Sequence, residues 1–461
     1  MPGTVPGTVC GTVPGTVRGT RQVVCGVRLW ADLQLRLVLA DFLIRNTLEV
    51  LTCAGPAPRR GAAQADARPI PRGCIAAFEG RIVFIGFESL LEREVELTPD
   101  AVVVDAHGGA VVPGFVDPHT HLVFAGDRRE ELRRRLTGTT YAEIAAEGGG
   151  ILGTVVATRA ASDAALAAAS RRRLDEMLRC GTTTCEVKSG YALTLEGEIK
   201  MLRVIRALAA AHDVEIASTF LGAHEIPAEY RDHRGEYIDL VVREMIPAVA
   251  NEGLADWCDV FCEHGVFTPD ESRHILRAGD AAGLRPRIHA DEFGLSGGAD
   301  VAAELRARSA DHLIYVDKTG AAGLAAAGVV ATLLPIASFY LKLGRFAPGR
   351  MLIDQGVPVA LATDVNPGGG FSPSMPFAMA LACFAMNLTF EEALVGATIN
   401  AAYALDRHEV VGSLEPGKQM DAVIVDGPAI DLVRVAPGTI RTVIKKSRVV
   451  VQQDGAADGA R

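Results

Sequence analysis

Eight apolar runs alternate with helix-like segments through the middle of the chain, and this repeat limits the fold more than any other feature of the sequence. The segments between the runs are rich in Ala, Leu, Arg and Glu, as in "AASDAALAAASRRRLDEMLRCG". Eight strand–helix alternations over about 250 residues are typical of a (β/α)8 barrel, a TIM-like α/β fold. A doubly wound open sheet is the alternative, but no G-x-G-x-x-G sequence follows the first strand. The runs cover residues 111–121, 182–191, 214–225, 257–265, 286–292, 309–316, 329–336 and 358–366.

Short β-branched runs lie on both sides of this middle part. They include "FEGRIVFIGF" before it and "IRTVIKKSRVVVQ" after it, and each is bounded by Gly or polar residues. We predict that residues 46–112 and 412–452 form one small β-sandwich from both chain ends, and that the barrel spans 113–411. Residues 1–45 begin with a repeated "PGTV" and lack apolar periodicity, so we predict a disordered low-complexity leader there.

Composition excludes several classes of function. The chain of 461 residues carries a formal net charge of −10, which gives no general attraction to nucleic acid or to anionic membranes. No stretch has the roughly 18 uncharged apolar residues of a membrane helix. The nine cysteines are scattered, which favours reduced thiols in the cytoplasm over a disulfide framework. We interpret Cys258 and Cys262 as core residues rather than as zinc ligands.

The first apolar run ends in "PGFVDPHTH", which places two histidines one residue apart. In an extended strand, side chains at positions i and i+2 point to the same side. His119 and His121 would then direct two imidazoles at one point, as metal coordination requires. On this spacing alone, two solvated histidines on a strand face remain an open alternative.

Two further candidate ligands end later runs. Because the active sites of barrels gather at the carboxyl ends of the strands, residues at those ends are candidates for one common site. His289 ends the fifth run and Asp364 ends the eighth. With His119 and His121 they offer three nitrogens and one oxygen, a ligand set that leaves room for a water, as in catalytic metal sites. Taken singly, His289 is also compatible with a buried core histidine.

The chain resembles the amidohydrolase superfamily, and more closely its imidazolonepropionase family, over nearly its whole length. The resemblance covers about Asn46 to Gln452 and lies in "DPHTHLVFAGDR", "EGGGILGTVVATR", "CEVKSGYAL", "FLGAHEIPAEY", "IHADEF", "SADHL" and "ATDVNPG". The His-x-His signature specifies only the superfamily, whereas the other motifs together are much more specific.

This resemblance implies an enzyme of histidine degradation. Members of the imidazolonepropionase family hydrolyse the ring amide of 4-imidazolone-5-propanoate to N-formimidoyl-L-glutamate. The resemblance implies one Zn²⁺ or Fe³⁺ ion per chain, held by the four candidate ligands, which makes a bound water ionise near neutral pH. It also implies a homodimer with a small-molecule substrate. The charge and the cysteines predict a cytoplasmic protein with no nucleic-acid or membrane partner.

The same resemblance assigns roles to residues at the barrel ends. Asp364 would accept the proton of the water and pass it to the leaving nitrogen, and His312 would orient Asp364 or the water. His224 would donate to the developing oxyanion or hold the ring, and Glu292 would face the ring nitrogens. Arg128 would bind the propionate, since a guanidinium can bond a carboxylate twice. The predicted substrate-binding residues also include Tyr191, Asn366, Gly368 and Gly369.

Two departures from the family and two rival functions accompany this hypothesis. Gly369 and Gly370 stand where the family often has a hydroxyl residue, so a side-chain contact is lost there or replaced by a backbone N–H. Lys188 lies where a carbamylated lysine would bridge two metals in some relatives, although "EVKSGY" matches the one-metal family. A deaminase of bases would share the metal ligands but would not need Arg128 with Tyr191. An inactive barrel that serves as a binding protein would not need all four ligands.

Overall fold

The structure of the chain is a computed structural model that describes residues 37–140, 143–144 and 147–453. Nineteen strands lie in these ranges and are numbered here in chain order. They are β1 (Val38–Arg45), β2 (Glu49–Leu51), β3 (Pro69–Pro71), β4 (Gly73–Phe78), β5 (Arg81–Phe87), β6 (Val95–Asp105), β7 (Ala110–Pro113), β8 (Phe115–Asp117), β9 (Thr182–Lys188), β10 (Glu215–Ala223), β11 (Trp257–Cys262), β12 (Arg285–Pro286), β13 (Ile288–Ala290), β14 (Ser309–His312), β15 (Val330–Leu333), β16 (Val359–Leu361), β17 (Ala422–Val425), β18 (Ile440–Lys445) and β19 (Arg448–Gln452).

The middle of the chain forms a parallel sheet in the order β8-β9-β10-β11-β13-β14-β15-β16, and β12 pairs with β11 just before β13. The segments that follow the two outer strands bond to each other. The N–H of Asp364 donates to the carbonyl of His119 at 3.1 Å, and the N–H of His121 donates to the carbonyl of Val365 at 2.8 Å. The sheet is therefore a nearly closed (β/α)8 barrel. This confirms the predicted fold class and excludes the doubly wound sheet, whose strand order reverses at a switch point.

Helices cover the outside of the barrel because each buries one apolar face. The helix Asp163–Arg179 begins after Ser162, whose hydroxyl accepts the N–H of Ala165, and it buries Leu166, Leu174 and Met177. The α-helices of the described residues are Leu91–Glu94, Arg129–Leu136, Ile151–Ala160, Asp163–Arg179, Leu195–Ala211, Arg234–Leu240, Ile246–Glu252, Pro269–Ala281, Gly298–Leu305, Lys318–Ala327, Pro335–Tyr340, Gly349–Asp354, Met375–Met386, Phe390–Gly396 and Ile399–Ala404.

Two smaller sheets combine strands from both ends of the chain. One has the order β5-β4-β1-β6 and the other the order β19-β18-β17-β7-β2-β3. Strand β7 pairs with β17, which brings Val112 opposite Val423. A core cluster joins Phe42 of the first sheet to Ile424 of the second. These contacts confirm a small β-sandwich made from both chain ends.

Two predictions about the first third of the chain are wrong. Strand β1 lies within the segment that we predicted to be a leader, because Phe42 and Ile44 bury their side chains in the sandwich core. The apolar run 111–121 is not one barrel strand, because β7 belongs to the sandwich and only β8 belongs to the barrel. The leader predicted for residues 1–36 lies outside the described residues.

The cysteines and the helices of the described residues also bear on the expectations from composition. Seven cysteines lie in the described part of the chain and all are free thiols. Cys258 and Cys262 are buried, as we expect of core residues. No helix among the described residues has both the length and the apolar character needed to cross a membrane.

Candidate functional site

Three histidines meet at the carboxyl end of the barrel strands. Nε2 of His121 lies 3.2 Å from Nε2 of His119 and 3.3 Å from Nε2 of His289. One ring nitrogen of each histidine lies within 4.8 Å of those of the other two. All three rings are buried. The barrel therefore brings together side chains 168 positions apart in the sequence.

His119 and His121 converge for a different reason from the one that we predicted. Strand β8 ends at Asp117, so both histidines follow the strand instead of lying in it. Pro118 lacks the N–H that would continue the parallel ladder. The backbone of this segment is instead bonded to the segment after β16, through Asp364 and Val365. The prediction of an extended His-x-His strand is wrong, although the two imidazoles do point to one place.

Buried carboxylates orient the outer nitrogens of two of these rings. Nδ1 of His119 lies 2.6 Å from Oδ2 of Asp311, and Nδ1 of His289 lies 3.2 Å from Oδ1 of Asp259. Because a carboxylate only accepts, Nδ1 of each neutral ring carries the hydrogen and Nε2 keeps its lone pair. Lone pairs that face each other at this distance repel unless a cation lies between them, so the three-histidine group is able to hold a metal ion.

Asp364 lies beside the three-histidine group. Its Oδ1 is 3.6 Å from Nε2 of both His119 and His121. Burial raises the pKa of Asp364 to about 7. A nearby cation would lower this pKa, because it favours the carboxylate. Three imidazoles and a carboxylate are the donor types of catalytic zinc and related transition-metal sites, so the residues present fit a metal ion.

Lys188 lies in a buried ionic network beneath the histidines. Its Nζ is 2.7 Å from Glu186 Oε1, 2.7 Å from Asp259 Oδ2 and 3.6 Å from Asp311 Oδ2. Burial alone would lower the pKa of Lys188, but the carboxylates of Asp259 and Glu186 outweigh burial and raise it. An ammonium has no lone pair for carbamylation, so this arrangement argues against a lysine that bridges two metals.

The sequence analysis missed Glu186 and Asp259. Both lie inside strands, β9 and β11, whereas we searched only the ends of the apolar runs. A signal was available, since a charged residue within a β-branched or aromatic run is unusual in a buried strand unless it is paired.

A cavity of about 50 Å³ opens above the histidines. It brings together all seven residues that we predicted to bind substrate, together with three of the four predicted metal ligands. The cavity is lined by His121, Arg128, Ile151, Tyr191, His224, Phe261, His289, Glu292, Phe293, His312, Leu341, Asp364, Asn366, Gly368 and Gly369.

His224 has a defined tautomer in this cavity. Its Nδ1 lies 3.0 Å from the carbonyl oxygen of Gly190, which can only accept, so Nδ1 carries the hydrogen. Burial, followed by the neighbouring His289, lowers the pKa of His224 to about 3. The ring is therefore neutral near pH 7 and its Nε2 is an acceptor. This excludes a neutral His224 that donates to an oxyanion through Nε2, and it favours the second predicted role, contact with the substrate ring.

Glu292 and His312 face each other across the cavity. Nδ1 of His312 lies 3.6 Å from Oε1 of Glu292, whereas no contact within 4 Å joins a ring nitrogen of His312 to Asp364 in the described structure. Burial, together with the negative charges of Asp364 and Glu263, raises the pKa of Glu292 well above its ordinary value. This shift favours the protonated form of the Glu292 carboxyl, and His312 is placed to orient Glu292 more directly than Asp364.

Arg128 forms one wall of the cavity and is held by a residue that the sequence analysis missed. Its Nε donates to Oε2 of Glu131 at 2.8 Å. The spacing of three residues beside the helix Arg129–Leu136 is a recognisable signal for such a pair. The guanidinium also lies against Gly368, where a Cβ would overlap Nη1, Cζ and Nη2.

Asn366 organises the loop after β16. Its Oδ1 accepts the N–H of Gly368 at 2.7 Å and the N–H of Gly369 at 2.6 Å. To bind a ligand, these N–H groups would have to give up their hydrogen bonds to Asn366. Their predicted contact with the substrate therefore stays a prediction. At Gly370 a Cβ would overlap the carbonyl oxygen of Asp364, which explains why no side chain stands at this position.

Comparisons with known proteins agree on one family. The sequence profile of the amidohydrolase family matches residues 110–451. The imidazolonepropionase of Symbiobacterium thermophilum is 51% identical over 416 residues, which cover 90% of this chain and 98% of that protein. The imidazolonepropionase of Geobacillus kaustophilus is 48% identical over 418 residues, again 90% of this chain and 98% of the relative.

Solved structures support the same architecture at much lower identity. A zinc-bound adenosine deaminase from Xanthomonas campestris superimposes with a TM-score of 0.67 at 18% identity, covering 92% of this chain and 96% of that one. The ochratoxinase of A. niger gives a TM-score of 0.63 at 17% identity, covering 91% and 96%. At such identities the likeness concerns the fold alone. The sequence relatives and the family profile show that the chain belongs to the amidohydrolase family, and within it to the imidazolonepropionases.

Proposed function

We propose that the chain hydrolyses the ring amide of 4-imidazolone-5-propanoate to N-formimidoyl-L-glutamate. The observation that carries this proposal is the cavity in which two members of the three-histidine group and a carboxyl lie on the same walls as a buried arginine. Hydrolysis of an imidazolone ring needs the histidines and the carboxyl, and binding of its propionate needs the arginine. A purine or pyrimidine base has no carboxylate, so Arg128 argues for the imidazolone over a base.

The metal site in this proposal consists of His119, His121, His289 and Asp364. These residues would hold one ion per chain, Zn²⁺ or Fe³⁺, which would supply a water that ionises near neutral pH. Asp259 and Asp311 accept from Nδ1 of His289 and His119, which leaves Nε2 of each neutral ring unprotonated and able to bind a metal.

The reaction adds one water across the C–N bond, so oxygen bonds to the carbonyl carbon and a proton goes to the ring nitrogen. Asp364 accepts a proton at its carboxylate and delivers it to the departing nitrogen. Glu292, whose raised pKa favours the protonated carboxyl, donates a hydrogen bond to the ring. His312 orients the Glu292 carboxyl.

Three groups position the substrate. Nε2 of His224 accepts a ring N–H, since the other nitrogen already donates to Gly190. The guanidinium of Arg128 bonds the propionate, and Tyr191, whose ring centre lies 5.2 Å from that of His224, contacts the ligand from the same side. Asn366, Gly368 and Gly369 shape the loop under Arg128.

The domain boundaries and the assembly also belong to the proposal. The barrel spans 113–411, and the sandwich consists of 46–112 and 412–452 with β1 added before it. We propose a homodimer in the cytoplasm with a small-molecule substrate, and the free thiols of the seven described cysteines agree with a reducing compartment.

The loss of imidazolone absorbance on addition of purified protein tests this function. The expected result is turnover of 4-imidazolone-5-propanoate with N-formimidoyl-L-glutamate as product, and no turnover of adenine or cytosine. Stoichiometric metal with deamination of a base, and none of the imidazolone, would show a deaminase instead.

A further inference from the structure

We propose that Glu131 is a positioning residue that determines which edge of the Arg128 guanidinium meets the substrate carboxylate. This inference rests on the proposed function, because it concerns the propionate of that substrate. It assigns a role to a side chain on the first helix of the barrel that does not line the cavity itself.

Glu131 holds one edge of the guanidinium. Its Oε2 lies 2.8 Å from Nε and 2.7 Å from Nη2 of Arg128. These two nitrogens form one edge of the planar group, and the edge formed by Nη1 and Nη2 is the other edge that can bond a carboxylate twice. Gly368, which lines the cavity, lies against the same group, since a Cβ there would overlap Nη1, Cζ and Nη2. Because Glu131 holds the edge of Nε and Nη2, we infer that a carboxylate in the cavity meets the guanidinium through Nη1.

Glu131 also holds a second wall of the cavity. Its Oε1 accepts the N–H of Gly150 at 2.9 Å. Gly150 precedes the helix Ile151–Ala160, and Ile151 lines the cavity. One carboxylate thus fixes Arg128 and the start of this helix relative to each other.

This arrangement has a kinetic consequence. An arginine that is already held loses little side-chain freedom when the substrate binds. Little of the free energy of its hydrogen bonds is then offset by ordering of the side chain, so the affinity for the substrate is higher. The negative charge of Glu131 opposes this by weakening the attraction of Arg128 for an anion. We expect positioning to dominate, because Glu131 bonds two nitrogens of Arg128 and the N–H of Gly150 and so fixes both walls of the cavity.

The substitution Glu131→Gln tests the proposal with almost no change in shape. An amide has one accepting oxygen, so it cannot accept from both Arg128 and Gly150. The matched control is Glu130→Gln on the same helix. The Glu130 side chain is 75% exposed and lies 3.6 Å from Arg133. We expect KM for 4-imidazolone-5-propanoate to rise roughly 10-fold in Glu131→Gln, with kcat within about 2-fold of wild type. Glu130→Gln should match the wild type in both constants.

A merely structural role gives a different result. A variant that folds less well contains less active enzyme, which lowers the apparent kcat and leaves KM unchanged. Unchanged or lowered KM in Glu131→Gln, or an equal rise in both variants, overturns the proposal.

Binding of glutarate, measured by calorimetry on the same three proteins, keeps the inference separate from the proposed reaction. Glutarate is a dicarboxylate whose binding can be measured without any hydrolysis. We expect roughly 10-fold weaker binding only in Glu131→Gln, even if the wild type fails to hydrolyse the imidazolone. Equal affinity in all three proteins rejects the role of Glu131, whereas absent hydrolysis alone rejects the proposed function.

Discussion

Nδ1 of His119 lies 2.6 Å from Oδ2 of Asp311, and both side chains are completely buried. The carboxylate can only accept, so it fixes the ring with Nε2 unprotonated and turned toward His121 and His289. Asp311 therefore prepares a metal ligand although it faces away from the site. Asp259 of strand β11 fixes the tautomer of His289 in the same way.

The substitution Asp311→Asn should weaken metal binding by roughly 10- to 100-fold. Oδ2 of Asp311 is the oxygen that accepts from Nδ1 of His119, and Lys188 and Arg287 lie 3.6 Å from this same atom. An amide oxygen in its place would still accept from His119, but without the negative charge that strengthens this hydrogen bond and makes Nε2 a better ligand. Competition with a chelator of known affinity measures the change.

Asp421→Asn is the matched control for that substitution. Asp421 is also a buried aspartate with a lysine partner, Lys445 at 2.7 Å, but it lies in the sandwich. It should lower stability without changing metal affinity. A similar loss of affinity in both variants would mean that general destabilisation, and not the charge of the carboxylate bonded to His119, governs metal binding.

Arg128→Ala should raise KM for the imidazolone by roughly 10- to 100-fold, because hydrogen bonds to a charged group are worth about 1.5–3 kcal/mol. Metal content should stay at the wild-type level. Arg129→Ala is the control, since Arg129 is the next residue and its side chain is 79% exposed. Steady-state kinetics on the three proteins would contradict the role of Arg128 if both alanine variants had the same KM.

Gly370→Ala should abolish activity and lower stability by about 1–3 kcal/mol, the usual cost of overpacking. The new Cβ would overlap the carbonyl oxygen of Asp364, so the loop that carries the carboxyl must move. Gly235→Ala is a suitable control, because a Cβ there meets no atom within 4 Å. Activity assays and urea unfolding measure both effects, and a fully active Gly370→Ala enzyme would show that the loop position is unimportant.

The neutral state of His224 should make the protein sensitive to acid. Burial, and then His289, lowers the pKa of His224 from 6.5 to about 3. Between these values the unfolded chain binds a proton that the folded chain does not, so this stability is present above pH 6.5 and is lost as the pH falls toward 3. Between pH 7.5 and 5.5, wild type should lose stability more steeply than His224→Gln, by up to about 1.4 kcal/mol per pH unit. Urea unfolding at several pH values measures this change. If the free energy of unfolding fell equally steeply with falling pH in the two proteins, a buried neutral His224 would be contradicted.

The barrel was predictable from the sequence because its strands and helices alternate with different residue patterns. The eight predicted runs overlap the eight barrel strands, and Asp364 and His289 were identified as residues at strand ends. The first run was the exception. Gly114 separates a sandwich strand from a barrel strand, and a continuous apolar run does not show which sheet each half joins.

Residues that act through other residues were harder to predict. Asp259 pairs with a residue 30 positions away and Asp311 with one 192 positions away, so only the closed barrel reveals either contact. The acceptor state of His224 likewise depends on the carbonyl of Gly190, 34 positions away. Motifs identified the groups that face the cavity, whereas the tautomers and charges of these groups come from tertiary contacts.

The most direct test of the account measures metal content and imidazolone hydrolysis in the same samples of wild type and His289→Ala. We expect about one Zn or Fe per wild-type chain together with hydrolysis, and the loss of both in His289→Ala while the melting temperature shows a folded protein. Equal metal content in the two proteins, or hydrolysis by a wild type without stoichiometric metal, would contradict the claim that these histidines form the metal site of the enzyme.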